Sequence, residues 1–217
     1  MEKTENIKKE YQKYVIAYFL MYIIINVGIM FPLSDLNWLD NIKEIYKNKL
    51  TYTLIGLPAT SMVGLFVFYS IPSNIKEVLI FWKIKNRLPS YRWQDSIIRT
   101  DSRFNMKKIN KKYGKKLSKE KQHDIWYSSY QRVKEDIAVL NSQKAYLFAR
   151  DMCIATLLLI PILIIIYIIA KIYFNIGLTF IFVNIGILFV IYIFLNIVCR
   201  ITANRFVCNV IALDIKE

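Results

Sequence analysis

Met152–Ala170 reads MCIATLLLIPILIIIYIIA, nineteen residues without one charge, entered directly from Arg150-Asp151. A helix of about 20 apolar residues is what a hydrocarbon core some 30 Å thick requires. Three more segments read the same way: Tyr14–Phe31, Leu50–Ile71 and Gly177–Cys199, none of them carrying a charged residue. A soluble core rarely keeps such runs free of charge. The composition therefore predicts an all-α membrane protein with four transmembrane helices, arranged as two pairs.

Between the pairs lies Pro72–Arg150, where nineteen lysines and arginines meet seven acidic residues. That excess is +12 of the chain's net +14. The segment is too long and too aromatic for a simple connection, so it reads as a basic helical cytoplasmic domain inserted between spans 2 and 3. The expected order is a cytoplasmic arm (1–13), spans 1 and 2 (14–71), the basic domain (72–150), spans 3 and 4 (151–199) and a cytoplasmic C-terminal helix (200–217).

Orientation follows from lysine and arginine beside the spans. The N-terminal arm has Lys3, Lys8, Lys9 and Lys13, and the tail has Arg200, Arg205 and Lys216. The first connection offsets its three lysines with Asp35, Asp40 and Glu44, and the third holds only Lys171. Both termini and the basic domain are thus expected in the cytoplasm, with the chain multi-pass. Cys153, Cys199 and Cys208 fall at that reducing end, with no metal or redox spacing, and read as small buried hydrophobes.

Within span 2, Gly56, Thr60 and Gly64 recur every fourth residue with Ser61 beside them. A stripe of small residues lets helices approach closely. Packing inside the four-helix bundle accounts for it, as does a pore-facing or subunit-facing surface. Asn26, Asn184 and Asn196 each need a hydrogen-bond partner in an apolar setting. One four-helix chain this apolar builds no wide pore, so any channel requires several copies.

In the basic domain, Asn74–Asn86 reads as an amphipathic helix with Val78, Leu79 and Trp82 on one face. Gly114 and Ser118 read as a turn and a helix cap. A helix carrying Trp126, Tyr127 and Tyr130 follows. Another starts near Asp136 and runs into the third span. Six lysines within ten residues (Lys107, Lys108, Lys111, Lys112, Lys115 and Lys116) can neutralise phosphates. Arg87, Arg92, Arg99 and Arg103 can add planar contacts. Tyr91, Trp93, Phe104 and Tyr113 are candidates to stack on bases, whereas Trp126 and Tyr127 are expected to pack. The same charge also suits an anionic bilayer surface.

Nothing points to catalysis or to a cofactor. His123 has no metal-ligand neighbours, and no Gly-x-Ser-x-Gly, His-Glu-x-x-His or glycine-rich phosphate loop occurs. An enzyme is not expected.

Four blocks form a spaced series: Asn86-Arg87-Leu88-Pro89-Ser90-Tyr91-Arg92, Asp101-Ser102-Arg103-Phe104, Trp126-Tyr127-Ser128-Ser129-Tyr130 and Tyr146-Leu147-Phe148-Ala149-Arg150-Asp151. With the tail Arg205-Phe206-Val207-Cys208-Asn209-Val210, the series resembles small bacterial four-span membrane effectors of anti-phage defence, of the kind represented by the channel-forming effector of the Hailong system. Ser90 stands where that pattern has a glycine, and the lysines around 107–116 are denser than it needs. The resemblance implies a homo-oligomeric ion channel in the bacterial inner membrane; a tetramer is our own expectation for the copy number. Its cytoplasmic domain would bind a single-stranded DNA oligomer or nucleotide signal made by a nucleotidyltransferase partner. Loss of that ligand would open the pore, depolarise the membrane and arrest growth. The competing expectation is a non-conducting membrane scaffold that binds anionic lipid or an acidic partner.

Overall fold

The computed structural model describes residues 2–30, 64–174 and 179–216. The regular structure of the described residues is all helical, without a strand. The helices are α1 (Glu2–Met30), α2 (Gly64–Ser70), α3 (Ser73–Phe81), α4 (Met106–Tyr113), α5 (Lys119–Val133), α6 (Ile137–Phe174) and α7 (Thr179–Lys216). Two of them are long and apolar enough to cross a membrane, over Ile137–Ile168 and Phe182–Lys216. Most of the expected second span, with Gly56, Thr60 and Ser61, lies outside the described residues. The C-terminal residues expected to be helical continue α7, which runs unbroken past Cys199 to Lys216. No proline or glycine stands between Cys199 and Lys216 to break it.

Helix starts in the basic segment follow side-chain capping. Asn105 accepts from the Lys107 amide at 2.9 Å, Ser118 from Lys121 at 3.3 Å, and Asp136 from Ala138 at 2.7 Å. Gly114 closes α4 at φ +97°, a conformation open to glycine and costly to other residues. The helix expected over Asn74–Asn86 stops at Phe81. Trp82 takes φ +53° there, and its buried residues are Lys76, Ile80 and Phe81 rather than Val78, Leu79 and Trp82. The reason lies on α7. Asn196 Nδ2 (2.9 Å), Arg200 Nη2 (2.8 Å) and Arg200 Nε (3.2 Å) all donate to the Ile80 carbonyl. Arg200 also lies 4.7 Å over the Trp82 ring. Those donors satisfy a carbonyl the helix leaves open.

The chain forms two compact units. The first comprises Met1–Lys8, Ser73–Cys153 and Ile193–Glu217. Its core centres on Phe206, which meets Trp126 edge-on at 5.6 Å, Tyr130 edge-on at 5.8 Å and Tyr146 in a stack at 6.3 Å. Trp126 therefore packs as expected, while Tyr127 stays 52% exposed. Lys76, Arg150 and Asp151 are buried in the same unit, with Lys76 Nζ 3.6 Å and Arg150 Nε 3.1 Å from Asp151 Oδ1.

The second unit comprises Lys9–Pro72 and Ile154–Tyr192. Phe19, Ile23, Leu159, Leu163 and Leu188 are fully buried in it. Asn184 donates to the Tyr167 hydroxyl at 3.1 Å, and Asn26 donates to the Tyr22 carbonyl at 2.8 Å. Gly64, from the small-residue stripe, is a packing position between α1 and α6. A Cβ there would stand 2.5 Å from Phe19 Cζ and 2.8 Å from Ile162 Cδ1. Because Phe19 is fully enclosed, its ring has nowhere to retreat. Gly64→Ala is accordingly expected to destabilise the protein by about 1–3 kcal/mol through overpacking. A lowered unfolding midpoint in detergent would register it.

Candidate phosphate-binding cleft

Several aromatic residues of the basic segment pack against its own side chains. Trp93 is fully buried, and its Nε1 donates to the Gln122 carbonyl at 2.7 Å. Tyr91 stacks on His123 at 4.3 Å, and Tyr113 meets Trp93 edge-on at 5.6 Å. Phe104 lies 5.9 Å beneath the Arg103 guanidinium. Trp93 is thereby closed to a base, as a small helical unit needs such rings for its core, while Tyr91 and Tyr113 are half-buried against their neighbours. His123 is not a bare surface residue either. It is half-buried and shares a 2.9 Å hydrogen bond with Ser90 Oγ, and burial lowers its pKa.

The expected cations separate into three groups. Lys107, Lys108, Lys111, Lys115 and Lys116 are exposed, as is Arg99. Arg87 pairs with Glu77 at 2.9 Å and donates to the Ile84 carbonyl at 3.1 Å, which makes it a structural residue. Lys112 and Tyr113 turn inward to Asp214, near the end of α7. Asp214 is almost fully buried and also accepts from Arg132 Nε at 2.6 Å and Ser129 Oγ at 3.0 Å. Burial pushes its pKa up, but the Arg132, Tyr113 and Ser129 hydrogen bonds outweigh that and bring it down to about 2. The same burial, followed by the Asp214 carboxylate, raises the Tyr113 hydroxyl. Lys112 and Tyr113 thus latch α4 to α7 and are not a free ligand surface.

The third group converges. A cleft of about 640 Å³ has Arg92, Asp101 and Arg103 on one wall and Asn204, Arg205 and Cys208 of α7 on the other. The loop wall is built by an unusual turn. Trp93–Ile97 forms one turn of π-helix, a geometry that recurs at functional sites. Gln122 fixes it, accepting from the Gln94 amide at 3.0 Å and donating to Asp95 at 2.8 Å. Gln94 in turn donates to the Gly114 carbonyl at 2.8 Å. Arg103 forks onto Asp101 at 2.6–3.1 Å and reaches Asn209 at 2.9 Å. Its hydrogen bonds lower the Asp101 pKa. Burial, then the Asp101 charge, pushes the Cys208 thiol up to about 11, so it is a protonated, unreactive wall.

Two residues that line this cleft each hold one polar atom without a partner. Arg92 Nε and Asn204 Oδ1 are buried with no hydrogen bond. A buried unsatisfied polar atom costs about 1–3 kcal/mol, and more when it belongs to a charged group. Of the residues lining the cleft, Arg92 and Arg103 are among the cations expected from the sequence, whereas Asn204 and Arg205, about a hundred positions along the chain, are not. Their only signal was their place in or beside the tail block that carries the resemblance.

Compared with protein-family models, with curated proteins and with solved structures, the chain gives no match in any of the three.

Proposed function

We propose that this chain is an oligomeric, ion-conducting membrane effector of bacterial anti-phage defence. In this reading its basic helical unit senses a nucleotide or single-stranded DNA oligomer, and ligand control of the pore sets membrane depolarisation and growth arrest. One observation carries the reading: a +12 segment is joined to apolar helices, and that segment leaves the six lysines of 107–116 exposed while Trp93 and Trp126 pack internally. Such a surface meets phosphates by charge, without base stacking. The spaced blocks that resemble the Hailong effector support the assignment to defence. The unbroken α6 offers a route from ligand to pore, since residues 137–150 and the apolar run 152–170 belong to one helix.

The test is ion flux from liposomes holding the purified chain, with and without short single-stranded DNA. DNA should change the flux, and the change should weaken with salt. With about five phosphate contacts, affinity is expected to fall roughly 100-fold between 50 and 200 mM salt. Glutamates at Lys107, Lys108 and Lys111 together should abolish the response while leaving basal flux. No flux from folded protein, with binding to anionic vesicles retained, would make the chain a membrane scaffold instead.

A further inference from the structure

We propose that the cleft between Arg92 and Asn204 is a binding site for a phosphomonoester group, held by Arg92 and Arg205 and hydrogen-bonded through a neighbouring hydroxyl or amine to Asn204. This narrows the anionic-ligand part of the reading above and needs no pore.

Charge comes first. Three guanidinium groups face the cleft against one carboxylate, leaving +2. A phosphomonoester carries close to two negative charges near neutral pH, and a diester only one. Asp101 does not repel such a dianion strongly, because Arg103 covers both of its oxygens. Arg103 is thereby fixed as wall. Arg92 and Arg205 remain, with no acidic partner among the described residues.

The unpaired atoms then fix the ligand's chemistry. Arg92 Nε is a buried donor and calls for an anionic oxygen. Asn204 Oδ1 is a buried acceptor and calls for an O–H or N–H on the same ligand. A bare inorganic anion answers the first need better than the second. A sugar phosphate or mononucleotide answers both, and the cavity accommodates one. The exposed lysines of α4 serve a different purpose, since point charges on flexible stems attract a polyanion without defining a pocket.

The experiment is calorimetric titration of the full chain in detergent. The probes are inorganic phosphate, AMP, adenosine, a dinucleoside monophosphate with only a diester, and short-chain phosphatidic acid. AMP is expected to bind at one site per chain, with adenosine and the diester at least tenfold weaker. Arg205→Ala, at an exposed position that folding tolerates, should weaken AMP roughly tenfold or more, as loss of a charge-assisted hydrogen bond does. Arg92→Lys should not restore what Arg92→Ala removes, and Asn204→Asp should repel the phosphate. Lys134→Ala, at an exposed lysine outside both the cleft and α4, should leave AMP affinity unchanged. Binding of phosphatidic acid in place of AMP would assign the same site to a lipid headgroup. Equal affinity for monoester and diester, indifference to Arg205→Ala, or no binding of any probe at millimolar concentration would overturn the proposal. Cleft binding without flux would sink the pore reading alone, and DNA-controlled flux without cleft binding would sink this one alone.

Discussion

Asp151→Ala is expected to lower the unfolding free energy by about 3–5 kcal/mol, the usual consequence of removing one member of a buried ion pair. Asp151, Lys76 and Arg150 all have side chains under a tenth exposed, and both cations approach the same carboxylate oxygen. Removing the carboxylate leaves two cations in a low-dielectric setting without the acid they share. Removing a cation as well should recover part of the loss, because burying well-packed apolar atoms in place of an ion pair is often neutral. Asp151→Leu combined with Lys76→Met is therefore expected to be more stable than Asp151→Leu alone. Denaturant unfolding in a fixed detergent measures both. A midpoint for Asp151→Ala equal to that of the parent would mean that the two cations find other counter-groups and that this argument is wrong.

The second large effect belongs to Asp214. Its folded pKa of about 2 lies below its ordinary 3.8. A carboxyl depressed on folding contributes stability that is complete above the unfolded value and is lost as pH falls through the folded one. Its contribution should therefore be full at neutral pH and fade between about 3.8 and about 2. Asp214→Asn is expected to cost about 2–3 kcal/mol at pH 7, chiefly through the hydrogen bonds from Ser129 and Tyr113. Arg132 is half-exposed, so water screens its share of the pairing. Stability measured from pH 7 down to pH 2 should show the two proteins converging at the acid end. Parallel curves would remove Asp214 as the titrating latch.

Much of the fold was legible because its signals are local. The charge-free runs over 152–170 and 177–199 mark helices by length and composition, and Gly114 and Ser118 mark helix ends by chemistry their neighbours cannot supply. The end of α3 was not legible. Asn74–Asn86 holds a helical period to its end, and what stops it is a pair of α7 side chains more than a hundred residues away. The site divides the same way. Arginine clustering flagged Arg92 and Arg103, but composition does not distinguish a cation that waits for a ligand from one already paired, such as Arg87. Nor does it tell a stacking platform from a core ring. Trp93, Tyr113 and Trp126 share one residue class, and only the pairing of α5 with α7 decides that all three face inward.

The Ile80 carbonyl has a bearing on how this chain tolerates drift. The acceptor for three donors is main-chain oxygen, which every amino acid carries. Changes at position 80 can alter apolar fit but can never delete the acceptor. All heritable risk in that junction is displaced onto Asn196 and Arg200, two positions on one helix and four residues apart, where a single codon change breaks what no change at the receiving end can.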